Sequence, residues 1–290
     1  MQTLLPVMEV NSFLTGKRGV SLPFTDYCDP IVNDPNDLLN ALDYLKEHAE
    51  QARWKYLELR GGADLLPDVP FSSSYYLHTL ALRADVEALN SQLKASTKRN
   101  IKKALREGVS VRWSNSLDAV KTFYHLHCLT RKKHGLPPQP FYFFQKIHAH
   151  LISQGHGQIL LAEHQGKPIA AAVYLHFGSE AIYKFGASDI SYLHLRPNDL
   201  VMWEAVQWYG RNGFIRFSFG RTDFEDEGLR QYKRGWGAEE RIIKYMTYDL
   251  EQKAFRREKT SVTGRHTALL RKMPIPFLKA AGYVLYRHMG

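Results

Sequence analysis

Cysteine is scarce in this 290-residue chain: Cys28 and Cys128 are the two, and they lie far apart. That excludes a disulfide framework and a Cys-x-x-Cys zinc site, and it fits free buried thiols in a reducing compartment. No uncharged apolar run reaches the length of about eighteen residues that a transmembrane helix needs. The start, Met1-Gln-Thr-Leu-Leu-Pro-Val-Met8, lacks a basic segment and a cleavage site, so it does not read as a signal peptide. There is no solenoid repeat, no low-complexity tract, no His-Glu-x-x-His and no Gly-x-Ser-x-Gly. The histidine pairs His125/His127 and His148/His150 are two residues apart, a spacing that points helical side chains in different directions, so metal catalysis is not expected.

What is present is a globular composition, 44% hydrophobic and 23% charged, with a net charge of +10. The charge is concentrated. Residues 94–112 and 251–290 are strongly basic, and the rest of the chain is slightly acidic. Two basic segments suggest anionic partners: a phosphate-bearing substrate, RNA or a membrane surface. Solvated helix faces explain them equally well.

Periodicity predicts a helix over 36–52, a strand over Tyr56–Arg60 ending at Gly61-Gly62, and a strand over 75–82. Ser96 is a candidate N-cap for a basic helix reaching Glu107, with Gly108 as its stop. Helices follow over 117–133 and 141–153, separated by the rigid Gly135-Leu-Pro-Pro-Gln-Pro140. Gln158–Glu163 and Ile169–Leu175 read as a hairpin, with further strands over 181–187, 214–219 and 242–250 and a helix from Pro197 to about Arg211. The tail after 251 reads as basic helices broken at Pro274 and Pro276. Its Phe277–His288 stretch is amphipathic and suits either docking on the first domain or lying on a membrane.

The densest functional signal runs from Phe214 to Gly237. It reads as a buried strand, a turn at Gly220, a polar loop with Arg221, Thr222 and Asp223, and a short helix presenting Lys233. Loops after strand ends gather ligand-binding groups in α/β sheets.

Several stretches together resemble the FemABX-like branch of the GNAT acyltransferase superfamily, in particular FemAB-type proteins associated with exopolysaccharide or exosortase systems. They are Gly19–Tyr27, Lys98–Ala104, Thr130–Pro137, Gly166–Ala172, Tyr183–Ser188, Pro197–Leu200, Phe219–Thr222 and Gly228–Gly237. The resemblance implies an α/β fold with mixed sheets and two GNAT-like domains, expected over 1–140 and 141–250, with 251–290 as a basic helical tail. The family usually carries several dozen residues before the stretch matching Ser21–Phe24, so the first domain is expected to be truncated at its N-terminus. The chain also lacks the pyrophosphate loop of CoA-using relatives; His194–Asp199 stands in its place.

The resemblance further implies transfer of an acyl group to an amine, in the best-known members from aminoacyl-tRNA to a peptidoglycan precursor. Lys233 matches the lysine of the family's Leu-x-x-Phe/Tyr-Lys motif and is expected to steady the oxyanion. Asp223 is a candidate for orienting or deprotonating the amine. Arg221 and Thr222, with Tyr183 and Tyr232, are candidate substrate-binding residues. Lys17, Arg18 and Arg196 are candidate phosphate contacts. Core packing, surface exposure or local ion pairs explain each of these residues alternatively.

The expectation is an acyltransferase acting on a cell-envelope or polysaccharide precursor, with no cofactor beyond the acyl donor, aminoacyl-tRNA or acyl-CoA. Its expected partners are an anionic or lipid-linked substrate, tRNA and a peripheral membrane surface, at a cytoplasmic location on the inner membrane face. The alternatives are a CoA-dependent N-acetyltransferase with a non-standard pyrophosphate loop and a non-catalytic RNA- or membrane-binding module.

Overall fold

The computed structural model describes residues 3–257 and 270–289. Strands β1 (Thr3–Leu4), β2 (Met8–Ser12), β3 (Gly16–Val20) and β4 (Ile31–Val32) precede helix α1 (Pro35–Gln51). Next come β5 (Tyr56–Leu59), β6 (Ser73–Ala81), α2 (Val86–Gln92), α3 (Ala95–Arg106), β7 (Ser110–Ser114), α4 (Leu117–His134) and α5 (Phe141–His150). The hairpin β8 (Gly157–His164) and β9 (Lys167–Phe177) leads to β10 (Glu180–Ser188), α6 (Pro197–Arg211), β11 (Arg216–Thr222) and α7 (Glu227–Arg234). β12 (Glu239–Asp249), β13 (Ala254–Phe255) and α8 (Ile275–Leu285) follow, with a short 3-10 helix (Tyr286–His288) directly after α8.

Local chemistry explains most boundaries. Asp34 caps α1 by accepting from Asn36 N, and Ser116 caps α4 by accepting from Ala119 N. The β8–β9 turn sets Gln165 and Gly166 both at positive φ, the twist that a two-residue hairpin turn requires. Ser96 proves not to be a cap. α3 starts at Ala95, and Lys94 occupies the cap position without a side-chain bond. Pro276 does not break the tail helix but sits in its first turn, where a missing N–H costs nothing. Residues 258–269, which the basic-helix expectation also covered, lie outside the described residues.

One mixed sheet runs through the molecule in the order β2-β3-β5-β12-β6-β11-β10-β9-β8-β7. β12 joins its two halves: Met246–Asp249 pair with β5, and Glu239–Tyr245 pair with β6. α2, α3, α6 and α7 cover one face over a core that includes Leu80, Tyr209, Phe217, Phe219 and Trp236. α4 and α5 cover part of the other face with Phe123, Phe144, Ile159 and Val173. A third cluster packs α1, through Leu38 and Leu42, on Leu57, Leu59 and Met246. Burying each such side chain contributes about 1.5–3 kcal/mol.

Packing contacts run across residue 140. Phe123 of α4 meets Phe144 of α5 edge-on and Tyr124 meets it at a tilt, and β6 and β7 are strands of the sheet that also holds β8–β11.

Candidate active site

β11 does not stop at Gly220, as the sequence suggested. Its pairing with β6 covers Arg216–Ser218, slips, and resumes at Arg221 and Thr222, which are therefore strand residues. Gly220 makes this possible with a φ of +71°, a backbone state that glycine adopts freely. At this bulge the carbonyls of Gly220 and Arg221 both accept from the Lys233 Nζ, at 2.9 and 2.8 Å.

Lys233 is only 2% exposed. It stands in the last turn of α7, whose start is capped by Asp226 accepting from Leu229 N. Burial lowers its pKa to about 8, against the opposing pull of Asp26, Asp226 and Asp223 in that order. The ammonium is thus a buried cation held at a strand bulge, with two of its three N–H groups used.

Asp26 comes from the loop after β3. Its carboxylate lies against Gly220, so close that a Cβ added there would stand 2.6 Å from Oδ2. Its backbone carbonyl accepts from the Tyr245 hydroxyl at 2.5 Å, and that hydroxyl accepts from Arg221 at 2.9 Å. The Arg221 guanidinium also lies 4.3 Å over the Tyr75 ring. Beside this network, Lys184 of β10 donates to the Phe24 carbonyl at 2.6 Å. Burial pulls the pKa of Lys184 down while Asp26 opposes the shift.

A groove of about 850 Å³ opens next to this cluster on the sheet face that α4 and α5 leave uncovered. Leu77, Leu175 and Ile182 give it apolar lining; Asp26, Lys184 and Arg241 give it charge. Asp26 therefore touches both the groove and the bulge that holds Lys233.

β10 and β11 are hydrogen-bonded over only part of their length. They are parallel and pair only over Glu180–Ile182 with Arg216–Ser218, although both strands run on. Tyr183 and Tyr232 pack here, and the Tyr232 hydroxyl donates to the Asn198 carbonyl at 3.5 Å. Burial raises the Tyr183 pKa to about 12, which keeps that hydroxyl protonated. The start of α6 is poorly equipped for an anion. Pro197 offers no N–H, and Asp199 places an 8%-exposed carboxylate there, accepting from Asn100 Nδ2 at 3.3 Å. Burial raises the pKa of that carboxyl.

The remaining sequence candidates are scattered. Thr222 is buried beside the bulge, and its Oγ1 has no hydrogen-bond partner among the described residues. Asp223 is exposed and pulls on Lys233 more weakly than Asp26 does. Arg196 is exposed in a left-handed conformation before α6. Lys17 pairs across its hairpin with Glu9 at 3.7 Å. Arg18 corrects its expected role. It is 3% exposed and donates to the His288 carbonyl at 3.0 Å and to Thr15 Oγ1, so it fastens the C-terminal segment instead of reaching for a phosphate.

Residue-by-residue reasoning missed three groups. Asp26 and Lys184 lie inside the family-like stretches Gly19–Tyr27 and Tyr183–Ser188, and that was their available signal. His78 carried a subtler one, standing in phase with the buried Leu80 of β6. It is fully buried, and its Nε2 lies 3.0 Å from Glu240, which Arg230 grips at 2.8 Å through each of two nitrogens. Burial, then the nearby Lys233 charge, holds the His78 pKa down.

Comparison with known proteins places these features in a family context. A family model described as an acetyltransferase (GNAT) domain matches residues 91–234, which include β10, the β11 bulge and Lys233. The chain is 27% identical over 141 residues to a UDP-N-acetylmuramoylpentapeptide-lysine N(6)-alanyltransferase of Weissella viridescens, a match covering 48% of this chain and 41% of that protein. It is 33% identical over 85 residues to a lipid II:glycine glycyltransferase of Staphylococcus haemolyticus, covering 27% of this chain and 20% of that one. The matches thus span less than half the length of either curated relative. Among solved structures, FemX superposes with a TM-score of 0.68 at 14% identity, over 87% of this chain and 85% of that one. The L-PGS of Bacillus licheniformis gives 0.57 at 13% identity, over 93% and 85%. Both structural likenesses concern the fold.

Proposed function

We propose that this chain, which belongs to the FemABX-like branch of the GNAT superfamily, joins an activated acyl or aminoacyl group to an amine of a cell-envelope precursor. The observation that carries the reading is the buried Lys233 cation at the β11 bulge, next to the Asp26 carboxylate at the end of a groove. Attack of an amine on an ester carbonyl creates an oxyanion and releases a proton. A fixed ammonium in a dry site lowers the barrier to that oxyanion far more than it would in water. The acceptor amine arrives as a cation; Asp26 attracts it and takes one proton, and the neutral nitrogen then bonds the carbonyl carbon. As the tetrahedral intermediate collapses the ester carbon–oxygen bond breaks, the nitrogen releases its second proton to solvent, and the leaving oxygen takes up the proton held by Asp26. Arg221 and Lys184 bracket the site and suit an anionic substrate.

An aminoacyl ester such as aminoacyl-tRNA fits the donor side better than CoA does. A pyrophosphate docked at the start of α6 would meet the Asp199 carboxylate and find no amide at Pro197. The basic surface of α3 suits a nucleic-acid backbone. The relatives named for lipid II and for the UDP-linked pentapeptide support an acceptor of the peptidoglycan-precursor class. A lipid-linked acceptor would bring the protein to the inner face of the membrane. No helix among the described residues is long and apolar enough to cross one.

The test is direct. The protein is incubated with charged tRNA or with acyl-CoA, and with soluble and lipid-linked peptidoglycan precursors, and the amide product is sought by mass spectrometry. Amide formed from the charged tRNA supports the reading. Amide formed only from acyl-CoA overturns the donor assignment, and no amide from any pair overturns the catalytic one.

A further inference from the structure

Helix α8 is apolar on both sides, an arrangement expected of a helix covered all round. Its inner side is used. Leu278 is fully buried, and Gly282 packs closely on the Pro138 backbone. Its outer side is not: Phe277, Tyr283 and Val284 are 65%, 70% and 51% exposed. Other apolar groups extend that surface. Met8, Tyr142 and Met289 line an open groove with Tyr283, and Phe13, at the tip of the β2–β3 hairpin, meets the His288 ring edge-on at 4.5 Å. Phe13 is 76% exposed and its neighbour Leu14 52%. Surfaces this apolar are uncommon on monomers and mark a binding face.

Cations fringe it. Lys146 and Arg287 line the same groove and Arg271 and Lys272 precede the helix, while Lys279 of α8 turns back over the Tyr124 ring at 5.1 Å. None of these five takes part in an ion pair among the described residues. The acid lining the groove, Glu9, faces Lys17.

We propose that this face, built from α8, the β2–β3 tip and the Tyr142–Lys146 edge of α5, seats on an anionic lipid surface. Aromatic and aliphatic tips ringed by lysine and arginine match the depth profile of a bilayer interface, with apolar groups at the acyl boundary and cations among the headgroups. A second copy of the chain is a poor occupant. A two-fold contact would press the same cations together with Glu9 as the groove's acid. Seated this way, the protein would meet a lipid-linked acceptor without a transmembrane anchor. That consequence rests on the reading above, whereas the lipid contact itself does not.

The full chain is sedimented with phosphatidylcholine vesicles and with vesicles enriched in phosphatidylglycerol. Preferential binding to the anionic vesicles, weakened by salt, is expected. Removing one cation, by Lys146→Ala or Arg287→Ala, is expected to weaken binding about fivefold. The double substitution Phe277→Glu with Tyr283→Glu is expected to weaken it more than about tenfold. In each variant the circular dichroism spectrum and transfer to a water-soluble acceptor should match the parent, which separates this inference from the catalytic one. Equal or absent binding to both vesicle types overturns it. So does a lipid-free dimer that the Phe277/Tyr283 variant dissociates.

Discussion

Replacing Lys233 by methionine separates a catalytic cation from a structural one. The fall of its pKa from the ordinary 10.5 to about 8 means that folding holds this charge at a cost of about 3 kcal/mol relative to water. Methionine removes that cost and fills similar volume. It also leaves the carbonyls of Gly220 and Arg221 without the ammonium, at about 1–3 kcal/mol each if no water replaces it. The two effects oppose each other, so the variant is expected to fold with a stability within about 3 kcal/mol of the parent. Its pH dependence should change in a defined direction. In the parent, the penalty is fully present below pH 8. It disappears as pH rises from about 8 to 10.5, because the folded lysine releases its proton before the unfolded one. The variant should lack that rise. Transfer should fall by about 10²–10³ if the ammonium stabilises the oxyanion. Denaturant titration at several pH values and single-turnover amide formation measure the two quantities. Undiminished transfer refutes the catalytic role, and a loss of stability far above about 3 kcal/mol would make Lys233 a bulge clamp.

Other perturbations probe the surrounding parts. Asp26→Asn removes the strongest charge that raises the Lys233 pKa, so the fall in transfer expected above about pH 8 should move to lower pH as the rate drops; an unmoved pH–rate profile argues against the pairing. Gly220→Ala demands a φ of +71° from alanine and puts a Cβ 2.6 Å from Asp26 Oδ2. It should cost about 1–3 kcal/mol and lower the urea midpoint, and an unchanged midpoint would mean that the bulge relaxes freely. Arg18→Ala loses the buried bond to the His288 carbonyl and should cost about 2 kcal/mol. Limited proteolysis should then release the C-terminal helix early, and parent-like resistance would show that Arg18 does not hold it.

The family-like stretches made the fold class legible, and hydrophobic period located most helices and strands. Gly220 was legible as punctuation but not as a bulge, because a glycine at positive φ both ends strands and bends them. β7 and α2 escaped because short elements carry too few periods to read. The Arg18 error has the same root as the omission of Asp26. A charged residue in a loop or on a strand gives no sign, in one dimension, of which carbonyl or cation it will face.

The sequence by itself settled what side-chain chemistry and repeat distance encode: two elongated basic segments, an α/β order of elements and a lysine one helix beyond a buried strand. Only the tertiary structure decided that this lysine is dry, that Asp26 rather than Asp223 is its strongest carboxylate neighbour, and that β12 fuses the two halves into one sheet. Burial and charge proximity depend on distances through space between segments some two hundred residues apart. No local pattern fixes such distances until the whole core has packed.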